Sequence, residues 1–117
     1  MKITDNKTIQ SIQKAFNEKF PNLKLNFYTQ PHSFGEGSPN NEKLDKTKTI
    51  GEVRQVHTDG DIQIDAKLTV QELETLMAEK YGLNLQVYRR SGDLWLQTIS
   101  TDNWTLETQN ERGGVTS

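Results

Sequence analysis

The chain has no cysteine in its 117 residues, which excludes disulfides, thiolate metal sites and a cysteine nucleophile. Oily residues are scarce: 32% of the chain is hydrophobic, and Leu, Ile, Val and Phe together number only 27. Chains with less than roughly 20% of those four residues tend to stay disordered, so a core can form but must be thin and wrapped in polar loops. A strong excess of one charge is also missing. Fourteen Lys and Arg stand against 16 Asp and Glu, a formal net charge of −2, which gives no bulk attraction to nucleic acid or anionic lipid. No window approaches the roughly 18 consecutive apolar residues of a membrane-crossing helix. Met1-Lys2-Ile3-Thr4-Asp5 leads into a polar run without the apolar stretch of a secretory signal. The expectation is a cytoplasmic protein without a membrane partner, and at this length one domain. That domain is read as residues 1–112, followed by a disordered tail at 113–117.

What is present organises itself by period. Ile9, Ile12, Phe16 and Phe20 recur at spacings of three and four, which predicts a helix over Lys7–Phe20 that Pro21 ends. Leu23-Lys24-Leu25-Asn26-Phe27-Tyr28 alternates strictly and reads as a strand buried on one side. Residues 30–48 read as loop, with Phe34 on a short return strand. Thr49-Ile50-Gly51-Glu52 has capping-box spacing and predicts a short helical turn before a strand at Asp61–Asp65. The competing reading, a hairpin of Val53–Thr58 and Asp61–Asp65 around Asp59-Gly60, mixes polar and apolar residues on both faces. A second capping box, Thr69-Val70-Gln71-Glu72, opens a helix striped by Val70, Leu73, Met77 and Tyr81, with Gly82 as its left-handed cap. Strands Leu83–Arg90 and Asp93–Ile99 then flank Ser91-Gly92. A two-residue loop there sets Arg90 against Asp93, Tyr88 against Trp95 and Val87 against Leu96. Asp102 is read as capping a last turn through Trp104 and Leu106.

The two halves echo each other. Thr8-Ile9-Gln10 lines up with Thr69-Val70-Gln71, Phe16 with Met77, and Glu18-Lys19-Phe20 with Glu79-Lys80-Tyr81. Either the chain holds a duplicated helix–strand–strand unit, or two amphipathic helices feeding alternating strands match by composition; two units do not fix a period. The fold class expected is α+β: one domain with a four- or five-stranded, mostly antiparallel sheet and two main helices on one face. Leu23, Leu25, Phe27, Leu83, Leu85, Val87 and Leu96 then point inward. The opposite face carries Lys24, Asn26, Tyr28, Asn84, Gln86, Tyr88, Arg90, Trp95 and Gln97.

The run Leu83-Asn84-Leu85-Gln86-Val87-Tyr88-Arg89-Arg90-Ser91-Gly92-Asp93-Leu94-Trp95-Leu96, followed by Thr101-Asp102-Asn103-Trp104-Thr105-Leu106 and Gln109-Asn110, carries a family likeness. It resembles a family of small conserved hypothetical proteins of Bacteroidetes-type bacteria. These share a GL-strand, an R/K-SG hairpin with Trp, and a TD-x-W-TL-x-x-QN tail. The Pro31-His32 loop with Gly35-Glu36 fits as well, so the likeness spans nearly the whole chain. The resemblance implies no activity, cofactor or site.

Candidate chemistry is sparse. His57-Thr58-Asp59-Gly60-Asp61, with His32 joining by folding, offers an imidazole and two carboxylates to a divalent ion, but at no established ligand spacing. Asp-Gly is ordinary turn chemistry, and a solvated turn is the preferred reading. Ser33, His32 or His57 and Asp59 supply the letters of a hydrolytic triad without a Gly-x-Ser-x-Gly elbow. No phosphate loop or dinucleotide loop occurs, so neither an enzyme nor a cofactor is expected. Tyr28, Tyr88 and Trp95 beside Lys24 and Arg90 imitate the stacking platform of single-strand binders. The negative net charge and Asp93 beside Arg90 argue against nucleic acid. Two readings of the aromatic face remain: the C-terminal segment covers it through Trp104 and Leu106, or it is a docking surface for a protein or a second copy of the chain. The functional expectation is a non-enzymatic protein-binding or assembly module whose partner surface is Tyr28, Tyr88, Arg90 and Trp95. Single-stranded nucleic-acid binding on the same face is the alternative, and a small metal-dependent enzyme ranks below it.

Overall fold

Every helix among the described residues starts just after a threonine. The computed structural model describes residues 1–29, 43–98 and 100–113. Helix α1 (Ile9–Lys19) opens on Thr8, whose hydroxyl accepts from Ser11 N. Helices α2 (Ile50–Val53) and α3 (Val70–Tyr81) open on complete capping boxes, Thr49 with Glu52 and Thr69 with Glu72. In α4 (Leu106–Gly113), Thr105 Oγ1 accepts from Thr108 N at 3.1 Å. A helix leaves its first N–H groups without an internal acceptor. In this fold two helix starts cross and satisfy each other. Ile9 N donates to Lys48 O at 2.9 Å while Ile50 N donates to Lys7 O at 2.7 Å, and Gln10 N and Gly51 N reach Lys46 O and Asp5 O. The pair α3–α4 repeats the same bonding: Val70 N to Trp104 O at 3.0 Å, Leu106 N to Leu68 O at 2.8 Å, Gln71 N to Asp102 O and Glu107 N to Ala66 O.

The strands divide into two antiparallel sheets rather than the single four- or five-stranded sheet expected. Strand β2 (Leu23–Tyr28), β4 (Asn84–Ser91) and β5 (Leu94–Gln97) form one, in the order β2-β4-β5. Strand β1 (Lys2–Ile3) pairs with β3 (Gly60–Asp61) in a second, two-stranded sheet. Two residues are too short to show alternation, which is why β1 is invisible in the sequence. Of the strand expected over Asp61–Asp65 only the start is formed, as Gly60–Asp61; Ile62 still exchanges backbone bonds with Met1, and Ile62 and Ile64 are buried in the core. Nor is Asp59-Gly60 a hairpin turn. A Cβ on Gly60 would lie 2.5 Å from the Tyr81 hydroxyl oxygen, so this glycine admits the tyrosine ring.

The main core is one cluster. Ile9, Ile12 and Phe16 of α1 and Val70, Leu73, Met77 and Tyr81 of α3 pack with Leu25, Phe27, Leu85 and Val87 of the sheet. Ile3, Ile62, Ile64 and Leu106 join it. The β4–β5 turn corrects the expected register. Gly92, at φ +60°, and Asp93 form the loop, so Ser91 faces Leu94, Arg90 faces Trp95 and Arg89 faces Leu96. A left-handed residue belongs at the first loop position of a tight hairpin, and glycine takes it without strain. The shift is two residues, so each side chain keeps its face. Leu96, however, moves out toward the tip and is 44% exposed instead of buried. The C-terminal segment lies on the leucine side: Leu106 enters the main core and the Arg89 guanidinium sits 5.4 Å from the Trp104 ring centre. It therefore does not close over the aromatic face. Gly113, placed in the tail from sequence, is buried at the end of α4, where a Cβ would meet Asn22 at 2.9 Å. The expected return strand at Phe34 and the Pro31-His32 segment lie outside the described residues. Among the described residues no helix is long and apolar enough to cross a membrane.

Candidate functional site

Alternation along β2, β4 and β5 places Lys24, Asn26, Tyr28, Gln86, Tyr88, Arg90, Trp95 and Gln97 on the sheet face away from the leucines. Part of this face is a closed polar layer. Gln13 of α1 donates through Nε2 to Leu25 O at 2.8 Å and to Asn26 Oδ1 at 3.3 Å. The Tyr28 and Tyr88 hydroxyls bond to each other, and Gln97 Nε2 donates to Tyr88 Oη at 3.2 Å. Side-chain bonds thus tie α1 to β2, and β2 through β4 to β5. Each phenol has a partner, so the rings can be buried without stranding a polar atom. They are: Tyr28 is 2% and Tyr88 8% exposed, yet neither belongs to the leucine core. Burial, and next the bond to Tyr88, pushes the Tyr28 hydroxyl pKa well above its ordinary value.

The four residues singled out from sequence therefore separate into two kinds. Tyr28 and Tyr88 share one face and bond to each other, but show almost no ring to solvent. Arg90 is exposed and donates Nε to Gly92 O at 3.3 Å, while Trp95 is half-buried across the ladder from it. Two residues the sequence did not flag complete the hairpin surface. Leu94 is 66% and Leu96 44% exposed, on the opposite side of the sheet from Trp95. They were missed because the expected loop drew Leu96 back under the helices. The sequence signal was the glycine: a loop that begins on Gly92 carries both leucines toward the tip.

Beside the polar layer, a groove of about 1010 Å³ runs between α1, β2 and residues 43–46. Lys24 of β2 holds its ammonium 4.9 Å from the Trp95 ring centre and 5.5 Å from that of Tyr88. Partial burial, and secondarily the nearby Lys43, lowers the Lys24 pKa. The outer edge of β2 is closed to other strands. Its carbonyls accept from Asn17 Nδ2 at Leu23, from Gln13 at Leu25 and from Leu44 N at Phe27. An edge so capped is protected from strand addition.

The metal-like run around His57 comes apart in the structure. His57 Nδ1 bonds Asp5 Oδ2 at 2.8 Å, Asp59 Oδ1 accepts from Arg54 at 3.3 Å, and Asp61 accepts from the Met1 amine at 3.1 Å. Among the described residues no group of three or more His, Asp or Glu is placed to hold a metal ion. Arg54 explains the arrangement. Its side chain is fully buried and donates Nε and Nη2 to Asp5 Oδ1 at 3.0 and 2.8 Å, and Nη1 to the carbonyls of Thr58 and Tyr81. These bonds, more than the contact with His57, hold the Asp5 carboxyl below its ordinary pKa. His32 and Ser33 lie outside the described residues. No family model, curated protein or solved structure matches the chain.

Proposed function

We propose that the protein is a non-enzymatic binding module that docks another protein on the β4–β5 hairpin, with Trp95 and Arg90 on one side of the tip and Leu94 and Leu96 on the other. The observation that carries this reading is the exposure of Leu94 and Leu96, at 66% and 44%, in a chain that buries most of its other leucines. Trp95 and Arg90 are of the residue types enriched in interface hot spots, and the exposed leucines on the other side of the tip add apolar surface for a partner. Strand β5 also ends its sheet, with no strand beyond it among the described residues. Burial of Tyr28 and Tyr88 weakens the nucleic-acid alternative, which needs open rings to stack bases. The separate commitments of His57, Asp59 and Asp61 weigh against a metal-dependent enzyme. The matched bonding of the two helix pairs supports a duplicated unit as the origin of the chain.

The test is a double variant, Leu94→Ser with Leu96→Ser, compared with wild type in affinity capture from native lysate. Because both side chains are largely exposed, the melting temperature should hardly move, while the protein captured by wild type should be lost. Sedimentation over a range of concentrations separates a foreign partner from a second copy of the chain. Undiminished capture by the double variant rules the hairpin out as the surface.

A further inference from the structure

Four lysine ammonium groups gather beside the polar layer and outnumber the carboxylate of Asp45 among them. Lys14 of α1 and Lys24 of β2 line the groove together with Lys43 and Lys46, and Trp95 forms part of its wall. Among the described residues, no ion pair involves any of the four. A carboxylate also lines the groove: Asp45, whose Oδ1 accepts from Thr47 N at 2.9 Å and from Thr47 Oγ1 at 2.8 Å and whose charge lies near Lys46 and Lys48. Lys24 is held over the faces of Trp95 and Tyr88, which fixes its ammonium in place. Partial burial first, and the nearby charge of exposed Lys43 second, disfavour the ammonium of Lys24. Two like charges lining one groove favour an anion that can reach both.

We propose that this groove binds the phosphate-monoester group of a small phosphorylated molecule, gripped between Lys24 and Lys43. A phosphate monoester carries about −1.5 to −2 charges at neutral pH and presents three acceptor oxygens, so it neutralises both ammoniums; a single carboxylate neutralises one. The groove volume of about 1010 Å³ exceeds what a bare anion fills and leaves room for the rest of the molecule. This proposal does not rest on the hairpin reading, because neither Leu94 nor Leu96 lines the groove.

The test measures melting temperature and side-chain NMR shifts of the full chain against glycerol phosphate, inorganic phosphate, succinate and a single-stranded oligonucleotide, all at one ionic strength. Glycerol phosphate should stabilise the protein saturably, shift the Lys24 and Lys43 signals, and bind more tightly than the other three. Lys24→Met and Lys43→Met should each weaken it about tenfold. An equal response to inorganic phosphate overturns the ester assignment, and an equal response to succinate overturns the preference for phosphate. Preferential binding of the oligonucleotide makes the groove a nucleic-acid surface instead. Undiminished binding by both variants removes the groove as the site.

Discussion

At the scale of single residues, the structure turns on polar groups that are buried because they found partners. Arg54 is the clearest case, since its guanidinium ties Asp5 to the carbonyls of Thr58 and Tyr81. The consequence for pH has a definite sign. The Asp5 carboxyl titrates below its ordinary value of 3.8 in the folded protein, so on acidification the unfolded chain takes up this proton first. The stability it contributes is therefore complete above that ordinary value and is lost as pH falls through the lower, folded-state value. Asp5→Asn should be less stable than wild type at neutral pH in urea unfolding, with the two stabilities converging in acid. A gap that stays constant through the acid range would show that the carboxylate charge is not what Arg54 uses. Little of this was legible in the sequence. Asp5 and Arg54 are 49 positions apart, and no local pattern announces such a pair. Tyr28 and Tyr88 were read onto the correct face, because alternation is local, but their burial depends on a bond between residues 60 positions apart.

At the scale of elements, periodic segments were legible and crossings were not. The stripes of α1 and α3, the alternation of β2 and both complete capping boxes are visible in the letters because each is a contact within a few residues. The crossed helix starts are long-range, yet they left a trace. Asp5 before Thr8-Ile9, Asp45 before Thr49-Ile50, Asp65 before Thr69-Val70 and Asp102 before Thr105-Leu106 each precede a helix at nearly the same spacing. How tightly the starts cross can be tested at Gly51, the second residue of α2. An exposed helical glycine replaced by alanine ordinarily gains about 1 kcal/mol. Here the new Cβ would lie 2.9 Å from Asp5 Cβ and 3.2 Å from Asp5 O, and Asp5 is held by Arg54 and His57. Gly51→Ala should therefore destabilise the protein by about 1–2 kcal/mol, the range of an overpacked contact, measured by urea unfolding. A gain in stability would mean that the crossing is loose enough to yield.

At the scale of the whole molecule, two sheets and two helix pairs raise the question of whether the chain folds as one unit. The packing says it does. The radius of gyration is 13.3 Å, close to the value of about 13 Å for a compact chain of this size. Ile3, Ile62 and Ile64 from the two-stranded region share one core with Leu25, Leu85 and both long helices. Helix α4, last in sequence, is joined to α3 by the crossed bonds and to β4 through Arg89, which donates to Gln109 Oε1 at 2.9 Å. Leu106 is fully buried where these contacts meet. Leu106→Ala should cost about 2–5 kcal/mol, a large part of the roughly 5–15 kcal/mol that holds a small domain folded. The informative measurement is whether that loss is shared. Far-ultraviolet circular dichroism follows the helices, whereas tryptophan fluorescence follows Trp95 on the hairpin and Trp104 near Arg89 and Arg112. In a single cooperative unit the variant shifts both midpoints to lower denaturant by the same amount. If the fluorescence midpoint falls while the helical signal holds, α4 detaches on its own, and the second crossed pair is an attachment to the core rather than part of it.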